Sequence, residues 1–334
     1  MKVIHRRAAL FRAAMMIGLT ASVARGQTTP YAVVSNEGSH DITVLGAAGN
    51  LLYTIPLPNR PRGIAFSRDG KRVFVALSDE RPNALGSGDG IVEIDLKLRR
   101  IIRSIPAGTD PEAFALTPNE RTLYSSNEDA GTASATDLRS GKIAAALVVG
   151  IEPEGVAVSP DGHWVYVTAE TSNSVSMIDT KTNRVVANVL VDSRPRGAAF
   201  TPDGRFALVT AEIGSTLSVI DVGSRSVVGG ITLQRGHGKP VGVAVSPDSR
   251  FAFVANGATH RVSVVDLRSR QEVGEIPVGR RPWGVAISRD GKFLYTANGG
   301  SNDVSIIDVS ARRVVATIKV GAKPWGIALA RHGG

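Results

Sequence analysis

Residues 153–192 contain four apolar pieces: Pro153-Glu-Gly-Val-Ala-Val158, Trp164-Val-Tyr-Val-Thr168, Ser174-Val-Ser-Met-Ile-Asp179 and Arg184-Val-Val-Ala-Asn-Val-Leu-Val191. Each is short, rich in Val and Ile and bounded by turn formers, which is the pattern of strands. We label them A to D. Ser159-Pro-Asp-Gly162 joins A to B: proline pre-sets φ, aspartate bonds its own backbone and glycine supplies positive φ, so the join is a hairpin turn.

The unit repeats. Its leading proline recurs as Pro61, Pro111, Pro153, Pro195, Pro240, Pro282 and Pro324, at spacings of 50, 42, 42, 45, 42 and 42 residues. The A-to-B turn recurs as Arg68-Asp-Gly70, Pro202-Asp-Gly204 and Arg289-Asp-Gly291, with Pro118-Asn119 and Pro247-Asp-Ser249 as variants. An acid ends strand C at Asp95, Asp137, Asp179, Asp221, Asp266 and Asp308, which reads as a turn cap. A four-stranded antiparallel unit of about 40 residues buries both faces only against copies of itself, and radial repetition of it is a β-propeller.

The chain ends set the blade count. The seventh repeat has only strand A, Trp325-Gly-Ile-Ala-Leu329. Near the other end, Tyr31-Ala-Val-Val34 fits strand B, Asp41–Leu45 strand C and Leu51–Leu57 strand D. Each end completes the other's sheet and removes an exposed edge. The expectation is an all-β, seven-bladed propeller of four-stranded antiparallel blades, forming one domain over 28–331.

Composition closes several classes. The 334 residues are 43% apolar and 21% charged, within the globular range, and Cys is absent, so disulfides, thiolate nucleophiles, zinc–thiolate and iron–sulfur sites are excluded. The formal charge is +9, but Lys2, Arg6, Arg7, Arg12 and Arg25 lie in the first 26 residues without an acid, leaving +4 for the remainder. The remaining basic residues are scattered rather than gathered on one face, so no nucleic-acid partner is expected.

Residues 1–26 read as a signal peptide, with a basic start, an apolar stretch from Ala13 to Ala24 and small residues before Gln27. That stretch is too short to span a bilayer, and no other apolar run is long enough, so the expected location is periplasmic or secreted with no membrane span. Arg6-Arg7 leaves general and twin-arginine export both open.

The phrases Val165-Tyr-Val-Thr-Ala169, Ser174-Val-Ser-Met-Ile-Asp179 and Arg313-Val-Val-Ala-Thr-Ile-Lys-Val-Gly321 resemble the YVTN-type propeller repeat of exported prokaryotic proteins. Ile151–Gly162 and Asn188–Arg196 are similar, more narrowly, to propeller proteins associated with pyrroloquinoline quinone (PQQ)-dependent alcohol catabolism. The resemblance implies a pathway rather than a reaction, and no cofactor of the chain's own is expected. More distant relatives include propeller lactonases and haem-binding redox propellers. Fold alone does not choose among them.

Strand order puts the D-to-A and B-to-C loops on one face, the top. If the residues flanking each proline surround the channel mouth, charge is segregated there. Arginines come from blades 1 and 4 (Arg60, Arg62, Arg194, Arg196) and acids from blades 2 and 3 (Glu112, Glu154). Blades 6 and 7 add bases and tryptophans (Arg281, Trp283, Lys323, Trp325). This set suits a small anionic ligand or a protein partner, with cations pairing carboxylates and tryptophan stacking. It equally suits mutually compensating salt bridges. His237 and His260 are weak metal candidates without a third ligand at motif spacing. Acids ending strand B (Glu37, Glu128, Glu170, Glu212) repeat from blade to blade, which suggests loop capping. The insertion Ser78–Gly90 is either a lid or a plain loop. Phosphate-loop, nucleophile-elbow and His-Glu-x-x-His patterns are missing. The expected function is therefore an exported, non-enzymatic binding or scaffold protein accessory to PQQ-dependent periplasmic alcohol oxidation. The alternative is a lactonase-type hydrolase or a haem- or cofactor-carrying redox propeller.

Overall fold

Alternating Val- and Ile-rich strands separated by tight turns close into seven four-stranded antiparallel sheets. The computed structural model describes residues 29–79 and 88–331. The leader, His332 and most of the Ser78–Gly90 insertion lie outside these residues.

Blade 1 comprises β4 (Arg60–Phe66), β5 (Arg72–Ser78), β6 (Gly90–Asp95) and β7 (Arg100–Ile105). Blade 2 comprises β8 (Phe114–Leu116), β9 (Thr122–Asn127), β10 (Thr132–Asp137) and β11 (Lys142–Val148). Blades 3 to 6 begin with β12 (Pro153–Val158), β16 (Pro195–Phe200), β20 (Pro240–Val245) and β24 (Pro282–Ile287). Blade 7 joins the ends: β28 (Pro324–Leu329) pairs with β1 (Pro30–Asn36), followed by β2 (Asp41–Gly46) and β3 (Leu51–Pro56). The pairings Ala32↔Leu329 and Val34↔Ile327 close the ring as the sequence predicts.

Strands B and C are buried almost throughout, whereas the outermost strand alternates, as in Arg184–Leu190. The core lies between blades. Tyr166 and Met177 of blade 3 pack against Phe200, Val209 and Ile220 of blade 4, with the Tyr166 and Phe200 rings 4.7 Å apart. Each large apolar side chain removed from water contributes about 2 kcal/mol, and the repeat collects that gain at every junction.

The acids of the bottom turns serve local hydrogen bonds. Asp95 accepts from the amides of Lys97 and Leu98, and Asp179 from those of Lys181 and Thr182. Ser159 donates to Asp161, which also accepts from the His163 amide, and these bonds help hold the Asp161 carboxyl below its ordinary pKa against the opposing pull of partial burial.

Candidate functional site

In every blade but the second, the innermost strand leaves its register immediately after the proline, for example between Pro61 and Ile64, between Pro153 and Val156, and between Pro195 and Ala198. Such a bulge re-aims side chains, and here it turns the residue after proline toward the ring axis. In blades 2, 3, 4 and 7 a buried hydroxyl on strand B fills the gap. Thr168 Oγ1 accepts the Gly155 amide at 2.8 Å and donates to the Arg196 carbonyl at 2.7 Å. Thr210, Ser126 and Ser35 likewise donate to the carbonyls of Val241, Glu154 and Arg62. One blade thus fixes the backbone of the next blade's mouth residue. The small residue that follows is required: a Cβ on Gly155 would lie 2.1 Å from the Arg196 carbonyl oxygen.

The residue before proline is left-handed in blades 2 to 7, from Asp110 (φ 45°) through Arg194 (φ 60°) to Lys323 (φ 49°). Its carbonyl accepts the amide opening the B-to-C loop, as in Glu170 N–H to Glu152 at 2.9 Å and Glu212 N–H to Arg194 at 2.8 Å. The two flanks of the proline are therefore held by different bonds.

These elements enclose a top-face cavity of about 560 Å³. Of the ten expected mouth residues, Arg62, Glu154, Arg194, Arg196, Arg281, Trp283, Lys323 and Trp325 line it. Arg60 and Glu112 stand behind the wall: Arg60 lies 3.2 Å from Asp110 and 3.7 Å from Glu37, and Glu112 is fully buried against Arg62. The two tryptophan rings are 6.2 Å apart, with Arg196 and Arg281 over Trp283 at 5.2 and 5.0 Å and Arg62 over Trp325 at 5.7 Å. Below, the innermost strands line a narrower channel of about 260 Å³.

Two cavity residues, Glu37 and Glu128, come from the set read as loop caps. Glu37 is 3.7 and 3.8 Å from Arg60 and Arg62. Glu154 is 2.7 Å from Arg196. Glu128 has no cation within 4.0 Å among the described residues. Burial, reinforced by Glu154 and opposed by Arg62, pushes the Glu112 carboxyl well above its ordinary pKa. Burial also raises Glu128, though less freely, because hydrogen bonding with Glu112 pulls it back down.

Carboxylate oxygens of Asp110, Glu112 and Glu128 lie within 4.8 Å of one another, the one group of three potential metal ligands among the described residues. Two of the three already lie against arginines, Asp110 against Arg60 and Glu112 against Arg62. His237 and His260 do not join such a group; His260 Nδ1 instead sits 3.2 Å from the Arg281 amide.

Residues 180–320 match the family described as lactonase, 7-bladed β-propeller. Several solved structures share the fold. Hydrazine synthase of Kuenenia stuttgartiensis aligns over 85% of this chain and 96% of its own, with 22% identity and a TM-score of 0.73. A candidate 6-phosphogluconolactonase from Bacteroides uniformis aligns over 90% and 99%, at 18% identity and a TM-score of 0.75. One from Bacteroides fragilis aligns over 90% and 98%, at 16% identity and a TM-score of 0.73. No curated protein sequence matches the chain. The lactonase match corrects the expectation of a non-enzymatic accessory to PQQ-dependent oxidation and favours the hydrolase alternative instead. Sequence resemblance follows the repeat's wording, which reports turn chemistry more than the contents of the mouth. The chain is a seven-bladed β-propeller whose later repeats are similar to those of lactonases.

Proposed function

We propose that this protein is a lactonase-type hydrolase that opens a small anionic cyclic ester at the top-face mouth. The observation that carries the reading is Glu128, the cavity acid left without a cation beside several guanidinium groups, in a chain whose second half matches a lactonase family.

Burial drives Glu112 toward its protonated form and leaves Glu128, the less strongly raised of the two, as the ionised member of the pair. Glu128 takes a proton from water as the water oxygen bonds to the lactone carbonyl carbon. Arg62 stabilises the oxyanion that forms. Collapse of the intermediate breaks the ring C–O bond, and Glu128 returns its proton to the leaving alkoxide. The product is a hydroxy acid whose carboxyl group loses the second proton of the attacking water to solvent, and the resulting carboxylate pairs with Arg281 or Lys323. Trp283 and Trp325 supply the flat apolar wall on which the ring rests. The 6-phosphogluconolactonase descriptions of two fold relatives support a sugar-acid lactone as the substrate class.

The YVTN-type repeat and the leader belong to the same proposal: residues 1–26 direct export, and the substrate is met in the periplasm or outside the cell. The test is proton release by purified protein supplied with sugar-acid and aliphatic lactones, with Glu128→Gln as the comparison. Turnover lost in the variant at unchanged Tm supports the reading. Absence of turnover across the panel sinks it.

A further inference from the structure

On the opposite face from the mouth, the junction of blades 1 and 2 departs from the repeat in two independent ways. The first concerns the C-to-D turn. In blades 1, 3, 4, 5 and 6 its left-handed residue is Arg99, Asn183, Arg225, Arg270 or Arg312. Each reaches the preceding blade. Arg99 lies over Tyr53 at 4.2 Å, Arg225 over Trp164 at 4.9 Å, and Asn183 accepts from the Tyr124 hydroxyl. Arg270 and Arg312 donate to the carbonyls of Val228 and Val273. Blade 7 has Gly49, where a Cβ would lie 2.9 Å from Ile306, so the preceding blade itself fills the space. Blade 2 has Gly141, and a Cβ there would meet nothing within 4 Å.

The second departure is a cross-strand rung. In blades 2 to 7 the middle of strand C is Ala135, Met177, Val219, Val264, Ile306 or Val44. The residue opposite on strand D is Ala145, Ala187, Gly229, Gly274, Ala316 or Tyr53. Blade 1 pairs Glu93 with Arg103 instead. Glu93 is 2% exposed and lies 2.5 Å from Arg72 and 2.7 Å from Arg103. A carboxylate at an otherwise apolar core position exacts a desolvation cost that packing alone does not require.

Beside the Gly141 turn there is a cavity of about 520 Å³, lined by Phe74 and Leu138, by Arg72, Arg103, Arg121 and Arg139, and by the acids Glu120 and Asp137. Glu93 serves both Arg72 and Arg103 and sets their guanidinium planes. Arg121 and Arg139 have no ion pair within 4.0 Å among the described residues. The two lining acids are outnumbered by the four arginines, and each accepts local hydrogen bonds, Asp137 from Ser140 and Glu120 from the Arg68 amide.

We propose that this junction is a second, non-catalytic binding site for a small organic dianion, a phosphate monoester or a dicarboxylate, whose apolar body fills the groove that the repeat elsewhere fills with its own side chains. Arg121 and Arg139 hold the charge, Arg72 adds its free N–H groups, and Glu93 acts only as the positioning residue. The size suits a small molecule rather than a polymer. The site is independent of the lactonase reading and lies away from the mouth.

The experiment is calorimetric titration of the whole protein with phenyl phosphate, phthalate, inorganic phosphate and, as a monoanionic control, benzoate. Two variants leave the mouth untouched. Arg121→Ala with Arg139→Ala removes the unpaired cations. Gly141→Glu places a tethered carboxylate in the groove, at a backbone angle that Glu120 and Glu152 adopt elsewhere in this chain. Losing charge-assisted bonds of this kind weakens binding by roughly 10- to 100-fold. The expected result is saturable binding of phenyl phosphate or phthalate, the tighter of the two naming the headgroup. Benzoate should bind at least about tenfold more weakly, the double variant should lose affinity by the factor above, and Gly141→Glu should fold and bind none of the ligands. Equal binding of benzoate, no binding by either dianion, or binding that survives both variants overturns the proposal. Circular dichroism of each variant separates loss of the site from loss of the fold.

Discussion

Two regions of the mouth use the same residues to different ends. Across blades 3 and 4, Arg194 and Arg196 meet Glu154, Glu170 and Glu212, and each of these three acids has a cation within 4.0 Å. Across blades 7, 1 and 2, Arg60 and Arg62 meet Glu37, Asp110 and Glu112, and Glu128 is left over. The first arrangement is closed and its charges are spent on one another. The second keeps one carboxylate facing the cavity. A surplus charge at a cleft, rather than charge as such, separates a reactive patch from a structural one.

The sharpest way to break that contrast is to neutralise the equivalent strand-end acid in each region. Glu128→Gln should lower lactone kcat by roughly 10²- to 10⁴-fold, the usual worth of a general base. Glu212→Gln should leave kcat within about twofold, since its role is charge compensation at the rim. Steady-state kinetics on both variants decides the matter, and equal losses would erase the distinction. The pH profile carries the same information. Glu128 is raised by burial, so its ionised, proton-accepting form is lost as pH falls through a value above 4.5, and the acid limb of kcat/KM should lie above the ordinary glutamate range. Glu112 acts on stability with the opposite sense to an acid whose pKa is lowered on folding. Its folded pKa is raised, so folding favours its protonated form, and stability declines as pH rises from the unfolded pKa through the folded one.

Arg196 tests the closed region. It is 6% exposed and serves Glu154 and Glu170 together. Arg196→Met leaves Glu154 buried without its cation and Glu170 with Arg194 alone, and breaking a buried pair in this way costs about 3–5 kcal/mol. Chemical denaturation should show that loss. A cost under about 1 kcal/mol would mean the pair behaves like an exposed one.

The ring is legible in the sequence because its evidence is periodic. Seven prolines, six acids ending strand C and the split seventh unit each follow from local turn chemistry, so blade number and closure need no tertiary information. The grouping of Arg62, Glu154, Arg196, Trp283 and Trp325 follows too, since equal phase in the repeat means equal height on the axis. Glu128 does not follow. It occupies the same register as Glu37, Glu170 and Glu212, and what singles it out is the absence of an arginine partner, which depends on side-chain packing between blades. Gly141 and Glu93 can be found by laying the repeats over one another and asking where a position breaks its rule.

The hydroxyl relay beneath the mouth gives a smaller effect. Thr168 accepts one amide and donates to one carbonyl, both buried, and the carbonyl belongs to Arg196 of the next blade. Blades 5 and 6 have Ala255 and Ala297 at this register and close without the hydroxyl, so the ring does not need it everywhere. Thr168→Val keeps the shape and removes both bonds, leaving a buried donor and acceptor unsatisfied at a cost of about 1–3 kcal/mol. If the relay also fixes the guanidinium, the variant combined with Arg196→Met should lose less than the sum of the two single changes. A double-mutant cycle by denaturation measures that coupling, and strict additivity would show that Thr168 supports its own blade alone.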